Sequence, residues 1–162
     1  MDPDQALRQL VDRAAIIDVA TKFAASLDHR RWEDYGSCLA DEIEVSLPTM
    51  GGWVSMKREE LMAFAERLYA QVDGCQHISA NHQVTVAGDD ATCLATLNAT
   101  HHLTAEHEER IQREVGYYDY RLIRSDDGWQ ITHLLMTITW VEGNTAAFRQ
   151  LQTNAAIPTA GA

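Results

Sequence analysis

Four long segments in the second half of the chain alternate apolar and polar residues in the way that is typical of β-strands. They cover residues 75–87, 91–105, 112–125 and 129–141. Between them lie the short stretches "GDD", "AEHEER" and "SDDG", whose residues favour turns. Four successive strands joined by such turns predict an antiparallel sheet. Every other element of the chain then has to pack against this sheet.

The first half of the chain is predicted to be mainly helical. Two apolar stripes at helical spacing predict a long helix over residues 4–28 with a broad buried face. The stripes consist of Leu7, Leu10, Ala14 and Ile17, and of Ile16, Ala20, Phe23 and Leu27. A short helix is predicted in "WEDYGSCLA", a half-buried strand in "EIEVSL" and a third helix in "KREELMAFAERLYAQV". A last short helix and a loose tail are predicted at about residues 146–162.

This order of elements predicts an α+β fold in which the helices pack on one face of the sheet. The chain has 162 residues and shows no internal repeat or linker, so residues 1–162 are predicted to form a single domain. A strongly curved sheet wrapped around the long first helix would enclose a conical pocket.

The charge and composition of the chain exclude several classes of partner. The formal net charge is −11 without a basic cluster, so neither nucleic acid nor an anionic membrane surface is an expected partner. No apolar run reaches the ~18 residues of a membrane span, and the start of the sequence lacks the pattern of a signal peptide. Three cysteines without CxxC spacing favour reduced thiols, and with them a cytoplasmic location.

One strand carries an unusual polar row. In "CQHISANHQVTV" the residues of one parity are His77, Ser79, Asn81 and Gln83, and those of the other are mostly apolar. A small protein seldom lines a strand face in this way unless that face meets water, a partner or a ligand. The row is therefore a candidate wall of the pocket.

The residues best suited to chemistry in this chain are acids, bases and hydroxyls. They are Asp28 at the end of the first helix, His77 in the polar row, His102 on the next strand, and Tyr117, Tyr118 and Tyr120. A neutral histidine is an efficient general base near neutral pH, and a carboxylate on its other ring nitrogen fixes the tautomer. Each of these residues also has an ordinary use, as a solvated carboxylate, a surface or core histidine, or a packed tyrosine.

No metal or other cofactor is expected. His101, His102 and His107 are close in sequence, but the first two point to opposite faces of a strand and the third lies in a predicted turn. The chain has no phosphate-binding loop and no serine nucleophile motif. Proton transfer needs neither a metal nor an organic cofactor.

The stretches "LVDRAAIIDVATKFAASLDHRRWEDY", "VTVAGDDA" and "GYYDYRLIRSDDGWQI" resemble the SnoaL-like branch of the nuclear transport factor 2-like superfamily. The resemblance covers roughly residues 5–142 and implies a conical, cystatin-like α+β roll around a deep pocket. Within this superfamily the chain resembles scytalone dehydratase and hexachlorocyclohexane dehydrochlorinase, which eliminate a leaving group with an Asp–His pair. The resemblance places that pair on Asp28 and His77, and a second pocket histidine on His102.

Other positions depart from these enzymes. Leu27 and Leu47 stand where the scytalone enzyme has two tyrosines, and its serine and asparagine align with about Gly116 and Tyr118. Phe23 replaces a tyrosine found in bile acid dehydratase. The resemblance thus implies the same chemistry on a different, more apolar substrate. The predicted substrate-binding residues are Phe23, Leu47, Trp53, Asn81, Tyr118 and Tyr120.

The leading prediction is a lyase, a dehydratase or other β-eliminase, that acts on a hydrophobic cyclic or polyketide-like small molecule. Its catalytic residues would be Asp28, His77 and His102. An isomerase or polyketide cyclase that enolises a ketone with the same dyad is the first alternative, and a non-catalytic binding module is the second. A homodimer or homotrimer is expected from the resemblance, with Trp129 and Trp140 as candidate contacts on the sheet.

Overall fold

The computed structural model describes residues 2–105 and 108–155, and its main feature is the predicted sheet of long antiparallel strands. The long strands are β3 (Gly74–Ala87), β4 (Asp90–Ala105), β5 (Glu108–Ser125) and β6 (Gly128–Gly143). Two shorter strands, β1 (Leu39–Ser46) and β2 (Val54–Lys57), complete the sheet in the order β2-β1-β6-β5-β4-β3. All neighbours are antiparallel except β1 and β6, which run parallel. The sequence did not predict β2, because four residues are too few to show an alternation.

Four helices are described, and each contains the core of a predicted one. They are α1 (Pro3–His29), α2 (Trp32–Ser37), α3 (Arg58–Tyr69) and α4 (Thr145–Ala155). The predicted tail beyond α4 lies outside the described residues. None of the helices in the described ranges combines the length and apolar character needed to cross a membrane.

The helices cover one face of the curved sheet, so the fold is the predicted conical α+β roll. Odd-numbered residues of β4 and even-numbered residues of β5 are buried toward the helices, while their neighbours face outward. From α1, the residues Ile16, Ala20, Phe23 and Leu27 enter the core. The open end of this core, between α1, α3 and the sheet, is where the site lies.

Only one of the two apolar stripes of α1 is buried. Leu7 and Leu10 are 61% and 65% exposed, and Ala14 is also exposed, so the prediction of a broad buried face was wrong for this part of the helix. The helix lies against the edge strand β3, and a groove between Leu10 and Val84 remains open at the surface. Because β3 is an edge strand, α1 packs against the sheet with one face only. Only the apolar stripe on that face is therefore buried.

A bulge divides β3 into two parts with opposite parity. Ala80 pairs with Thr96 on β4, but the next paired residue, Gln83, faces Leu94, and Asn81 adopts a left-handed backbone with φ 53°. Before the bulge His77 points inward, and after it the inward residues are even-numbered. The polar row is therefore split between the two faces of the sheet.

The three cysteines, Cys38, Cys75 and Cys93, are all free thiols. This agrees with the sequence-based expectation of reduced cysteines. The cytoplasmic location stays a prediction.

Candidate active site

Asp28 and His77 form a close pair at the junction of α1 and β3. The Nδ1 atom of His77 lies 2.7 Å from Oδ1 of Asp28. The backbone N–H of His77 also donates to the same carboxylate, at 3.0 and 2.9 Å from its two oxygens. One carboxylate thus holds both the ring and the main chain of the histidine, and the His77 side chain is only 2% exposed.

The end of α1 brings Asp28 to this position. Arg30 stops the helix with a left-handed backbone (φ 52°), and the N–H groups of Arg30 and Arg31 bond back to α1 carbonyls. The guanidinium of Arg30 then reaches α3, where it donates to the carbonyls of Tyr69 and Val72. One residue therefore ties the end of α1, which carries Asp28, to the end of α3, which carries Tyr69.

The surroundings of Asp28 keep it ionised. Burial alone would raise the pKa of this carboxyl, but hydrogen bonds from the ring and backbone N–H of His77 outweigh burial and lower the pKa. An ionised carboxylate only accepts hydrogen bonds, so Nδ1 of His77 must carry the ring proton. In the neutral ring Nε2 then has a free lone pair, which is the state of a general base.

Tyr69 is a member of the site that the sequence did not indicate. Its hydroxyl lies 3.0 Å from Nε2 of His77, and because Nε2 is the acceptor, Tyr69 is the donor. The residue is buried at the last position of α3, one residue beyond the apolar stripe of that helix. Nothing in the sequence distinguished it from a packed tyrosine.

The pair borders an apolar cavity between α1, α3, α4 and the sheet. The cavity is narrow, with a volume of about 60 Å³ between the lining side chains. The walls are mainly aromatic and aliphatic, and none of the described residues that line them is a lysine or an arginine. The aromatic members are Phe23, Tyr35, Phe64, Tyr69, Tyr118 and Phe148. The cavity therefore suits an uncharged, largely apolar molecule.

The second histidine of the cavity is His101, and the assignment of His102 was wrong. His101 is 1% exposed and lines the cavity, whereas His102 is partly exposed on the outer face. The ring of His101 stacks on Phe148 at a centroid distance of 4.2 Å and lies 5.2 Å from the ring of His77. Neither ring nitrogen has a partner among the described residues. Burial, with a smaller contribution from His77, lowers the pKa of His101 to about 3, so the ring is neutral.

A second carboxyl group, Glu114, also lines the cavity. It lies on β5, is 7% exposed, and accepts a hydrogen bond from Nε2 of Gln112 at 2.8 Å. Burial raises the pKa of Glu114 more than this hydrogen bond lowers it. Glu114 has the same parity on β5 as Tyr118, a signal in the sequence that could have identified it.

The structure divides the predicted substrate-binding residues into three groups. Phe23, Leu47 and Tyr118 line the cavity. Tyr120 is fully buried behind the wall, 5.9 Å from the ring of Phe23, and its hydroxyl has no partner among the described residues.

Trp53 and Asn81 do not reach the cavity. Trp53 is 52% exposed and contacts the ring of His133, because it lies in the open loop before β2. Asn81 is on the outer face, where it donates to Thr96 at 3.2 Å, because the bulge rotates it away.

One group of residues near the pair has ligand atoms that a metal ion could use. Such atoms of Asp28, Cys75 and His77 lie within 4.8 Å of one another. The carboxylate is already occupied by His77, and burial raises the pKa of the Cys75 thiol to about 11, which keeps it protonated. The arrangement is thus better suited to a hydrogen-bonded pair than to metal binding. His107, the third histidine weighed from the sequence, lies outside the described residues.

Comparison with known proteins gives a family match and a set of similar folds. The model of the SnoaL-like domain family matches residues 8–134. No protein among the curated sequences matches the chain.

Three solved structures illustrate the likeness of fold. A protein provisionally named scytalone dehydratase from Novosphingobium aromaticivorans has a TM-score of 0.73 and 20% identity, over 85% of this chain and 91% of its own. The hexachlorocyclohexane dehydrochlorinase LinA-type3 from Novosphingobium barchaimii has a TM-score of 0.72 and 18% identity, over 87% and 95%. An NTF2-like protein with a cystatin-like fold from Novosphingobium aromaticivorans has a TM-score of 0.67 and 20% identity, over 91% and 93%. At this level of identity the likeness shows the fold.

Proposed function

From the premise that this chain belongs to the SnoaL-like domain family, we propose that it is a lyase that removes a proton and a leaving group from adjacent carbons of a small cyclic molecule. The observation that carries the proposal is the Asp28–His77 pair, hydrogen-bonded at 2.7 Å and set in the wall of an apolar cavity. Solved structures of similar fold include proteins named for elimination reactions, which supports the same choice.

In this reaction His77 is the general base. Asp28 keeps the ring proton on Nδ1 and stabilises the imidazolium that forms when Nε2 takes a proton from the substrate. In the unliganded pocket Nε2 accepts the hydrogen bond of the Tyr69 hydroxyl. The substrate must therefore take the place of this hydroxyl before His77 can act.

The cavity defines the class of substrate. Its lining, in the part of the chain that the structure describes, has no lysine or arginine that could act as a counter-ion for a carboxylate or a phosphate. The aromatic walls, with Phe23 and Tyr118 in edge-to-face contact, fit a flat ring system. The neutral ring of His101, whose two nitrogens have no partner among the described residues, provides a hydrogen bond to a polar group of the substrate. The proposed substrate is an uncharged cyclic ketone with a leaving group on the β carbon.

The test uses 3-hydroxytetralone, a bicyclic β-hydroxy ketone whose dehydration gives the fluorescent product 1-naphthol. We expect turnover by the wild type, and a loss of about 10²-fold or more in kcat/KM for both His77→Ala and Asp28→Asn. Asp18→Asn, an exposed aspartate on the same helix, serves as the matched control and should keep its activity. Unchanged activity in both dyad variants, with folding intact by circular dichroism, would contradict the proposal.

The same assay separates elimination from enolisation. An isomerase or cyclase that uses this dyad would exchange the α hydrogen of the recovered ketone for solvent deuterium without loss of water. A binding module would do neither and would only retain the ketone. We expect 1-naphthol to form faster than deuterium enters the recovered substrate.

A homodimer or homotrimer is the proposed assembly, and the outer face of the sheet supports it. Several large apolar side chains are exposed there, namely Ile78, Leu94, Ile111, Tyr117, Ile123 and Trp140. Trp129 does not belong to this set, since it is 5% exposed and its indole N–H donates to Asp12 at 3.3 Å.

A further inference from the structure

The cavity contains a carboxyl group that the base does not use. Glu114 lies on β5, two strands away from His77 on β3. His77 faces Ala99 on β4, and Ala99 faces Glu114, so the three residues form one row across the sheet. Adjacent strands are about 4.8 Å apart, which puts the backbones of His77 and Glu114 roughly 10 Å from each other. The residue between them in this row, Ala99, has only a methyl side chain, and both His77 and Glu114 line the cavity.

Among the described residues that line the cavity around Glu114, none is a lysine or an arginine that could act as its counter-charge. Gln112 donates to it, and the titratable groups around it are Tyr118 on its own strand, His101 on β4 beside Gln112, and Tyr69 on α3. The His101 ring is neutral, and buried tyrosines are uncharged at neutral pH. Burial to 7% exposure raises the pKa of Glu114 and so favours its neutral form, which can donate a hydrogen bond.

Several polar atoms next to Glu114 lack a hydrogen-bond partner among the described residues. The Oε1 atom of Gln112 and both ring nitrogens of His101 are buried and have no hydrogen-bond partner among the described residues. Gln112 and His101 are direct cross-strand neighbours, one row along from Ala99 and Glu114. A buried cluster of unsatisfied donors and acceptors on one wall is typical of a site that a polar ligand completes.

We propose that Glu114 is the acid of the pocket, that it donates its carboxyl proton to an oxygen that leaves from the substrate, and that the substrate is therefore a β-hydroxy ketone rather than a halide. This inference rests on the proposed function, since it assigns the second half of the same elimination. Hydroxide is a poor leaving group and needs a proton as the C–O bond breaks. A halide leaves without taking up a proton. An acid at this place is therefore expected to protonate a leaving oxygen.

The step balances with the groups that are present. Nε2 of His77 takes the proton from the carbon next to the carbonyl, and the electron pair of that C–H bond becomes the new C=C bond. The C–O bond breaks, its electron pair stays on the oxygen, and the proton of Glu114 converts the leaving hydroxyl to water. His77 is left as an imidazolium and Glu114 as a carboxylate, and solvent returns the proton from the first to the second. No oxidant, reductant or cofactor enters.

The other groups of the wall are weaker acids. Burial raises the pKa of Tyr118 and holds that of Tyr69 well above its usual value. His101 is neutral, and the N–H of a neutral imidazole is a very weak acid. A neutral carboxyl group is the strongest acid on this wall, so the assignment falls on Glu114.

The experiment compares 3-hydroxytetralone with 3-chlorotetralone, which have the same carbon skeleton and give the same 1-naphthol. We expect Glu114→Gln to slow the loss of water by about 10²-fold or more while the loss of chloride changes less than a few-fold. His77→Ala should abolish both reactions. Glu142→Gln, an exposed carboxylate 3.3 Å from Arg113, is the matched control and should change neither rate. Glutamine is uncharged and nearly isosteric with a neutral glutamic acid, so the variant should fold.

A second measurement reads the protonation of Glu114 directly. The infrared spectrum at pH 7 should show the carbonyl band of a protonated carboxyl group in the wild type, and this band should be absent from Glu114→Gln. An ionised Glu114 at pH 7 would overturn the inference, as would equal effects of Glu114→Gln on the two substrates. Elimination of chloride through His77 without any loss of water would overturn it while leaving the proposed function intact. If neither substrate reacts, the proposed function fails and the inference fails with it.

Discussion

The carboxylate of Asp28 binds His77 at two different points, since it accepts the ring Nδ1–H at 2.7 Å and the backbone N–H at 2.9 to 3.0 Å. An asparagine at this position offers one oxygen and one NH2 group. The NH2 group would donate to Nδ1, which moves the ring proton to Nε2 and blocks the base. We therefore expect Asp28→Asn to change the tautomer, visible in the ¹⁵N spectrum of the imidazole, and to lower the free energy of unfolding by about 1–3 kcal/mol. The control Asp18→Asn should leave the spectrum as in the wild type. An unchanged spectrum in Asp28→Asn would show that the carboxylate has no role in setting the tautomer.

The hydroxyl of Tyr69 competes with the substrate for Nε2 of His77. We expect Tyr69→Phe to keep kcat within a few-fold and to lower KM by about 2- to 10-fold, since one net hydrogen bond of about 0.5–1.5 kcal/mol no longer opposes binding. Steady-state kinetics with 3-hydroxytetralone measure both constants. Tyr117→Phe on the outer face is the control. A loss of activity as large as that of His77→Ala would instead make Tyr69 a participant in the proton transfer.

Acid should destabilise the protein through His101. The pKa of this residue is about 3 in the folded state and about 6.5 when unfolded, so the unfolded chain binds more protons as the pH falls between these values. The corresponding stability is present above about pH 6.5 and is lost progressively toward pH 3. Between pH 7 and pH 4.5 the contribution of His101 to this loss should be about 2–3 kcal/mol, measured in urea unfolding as the difference between the wild type and a variant without this histidine.

The variant His101→Gln should lose less of its stability over the same pH range. His29→Gln, an exposed histidine at the end of α1, should behave like the wild type. Asp28 affects stability in a different pH range. Because its pKa is lowered, its contribution to stability is lost only as the pH falls below the usual pKa of 3.8. An identical pH dependence in the wild type and in His101→Gln would show that His101 is not held neutral by burial.

The bulge in β3 requires a left-handed residue at position 81. Asparagine tolerates this conformation, whereas a β-branched residue pays about 1–2 kcal/mol for it. We expect Asn81→Val to lower the free energy of unfolding by about that amount, and Asn81→Gly to be close to neutral. Thermal or urea unfolding measures both. Thr85→Val, an exposed position beyond the bulge, is the control for adding the same side chain to this strand.

Trp140 tests the proposed assembly. It is 48% exposed on the outer face, and light scattering should give a mass for the wild type two or three times the 18.1 kDa of the chain. We expect Trp140→Glu to shift this mass toward the monomer. Trp53→Glu changes an equally exposed tryptophan in the loop before β2 and should leave the assembly as it is. A monomeric wild type would contradict the proposal.

The sequence predicted the fold well because its periodic signals are long. The stripe from Ile16 to Leu27 and the four long strands each span many residues, so a local irregularity does not hide them. Residue type and position marked Asp28 and His77 as separate candidates, and the resemblance to the SnoaL-like branch implied that they form a pair. Short or single-residue features were missed, as β2 and the role of Tyr69 show.

The error over His102 is an error of parity on β4. The resemblance placed the second pocket histidine on His102, but β4 pairs with β5 without a shift, and its odd-numbered residues from Ala91 to Leu103 are the buried ones. The parity changes on β3 instead, where the register of Val84 and Cys93, continued without a shift, would have turned His77 outward. The bulge brings His77 to the inner face, which it shares with His101. A bulge in a strand of alternating residues leaves no clear mark in the sequence.

The helix α4 closes the cavity with Phe148, which stacks on His101, and Arg67 of α3 holds the carbonyl of Ala155 at the far end of that helix. The stretch shared with the SnoaL-like domain family ends at residue 134 and contains the proposed base, its carboxylate and the acid, but not α4. The residues of the proposed chemistry and the helix that closes the cavity therefore lie in different parts of the chain. A chimera that carries the C-terminal helix of another family member on this core should thus bind a different ring system. It should still break the same bond of the substrate.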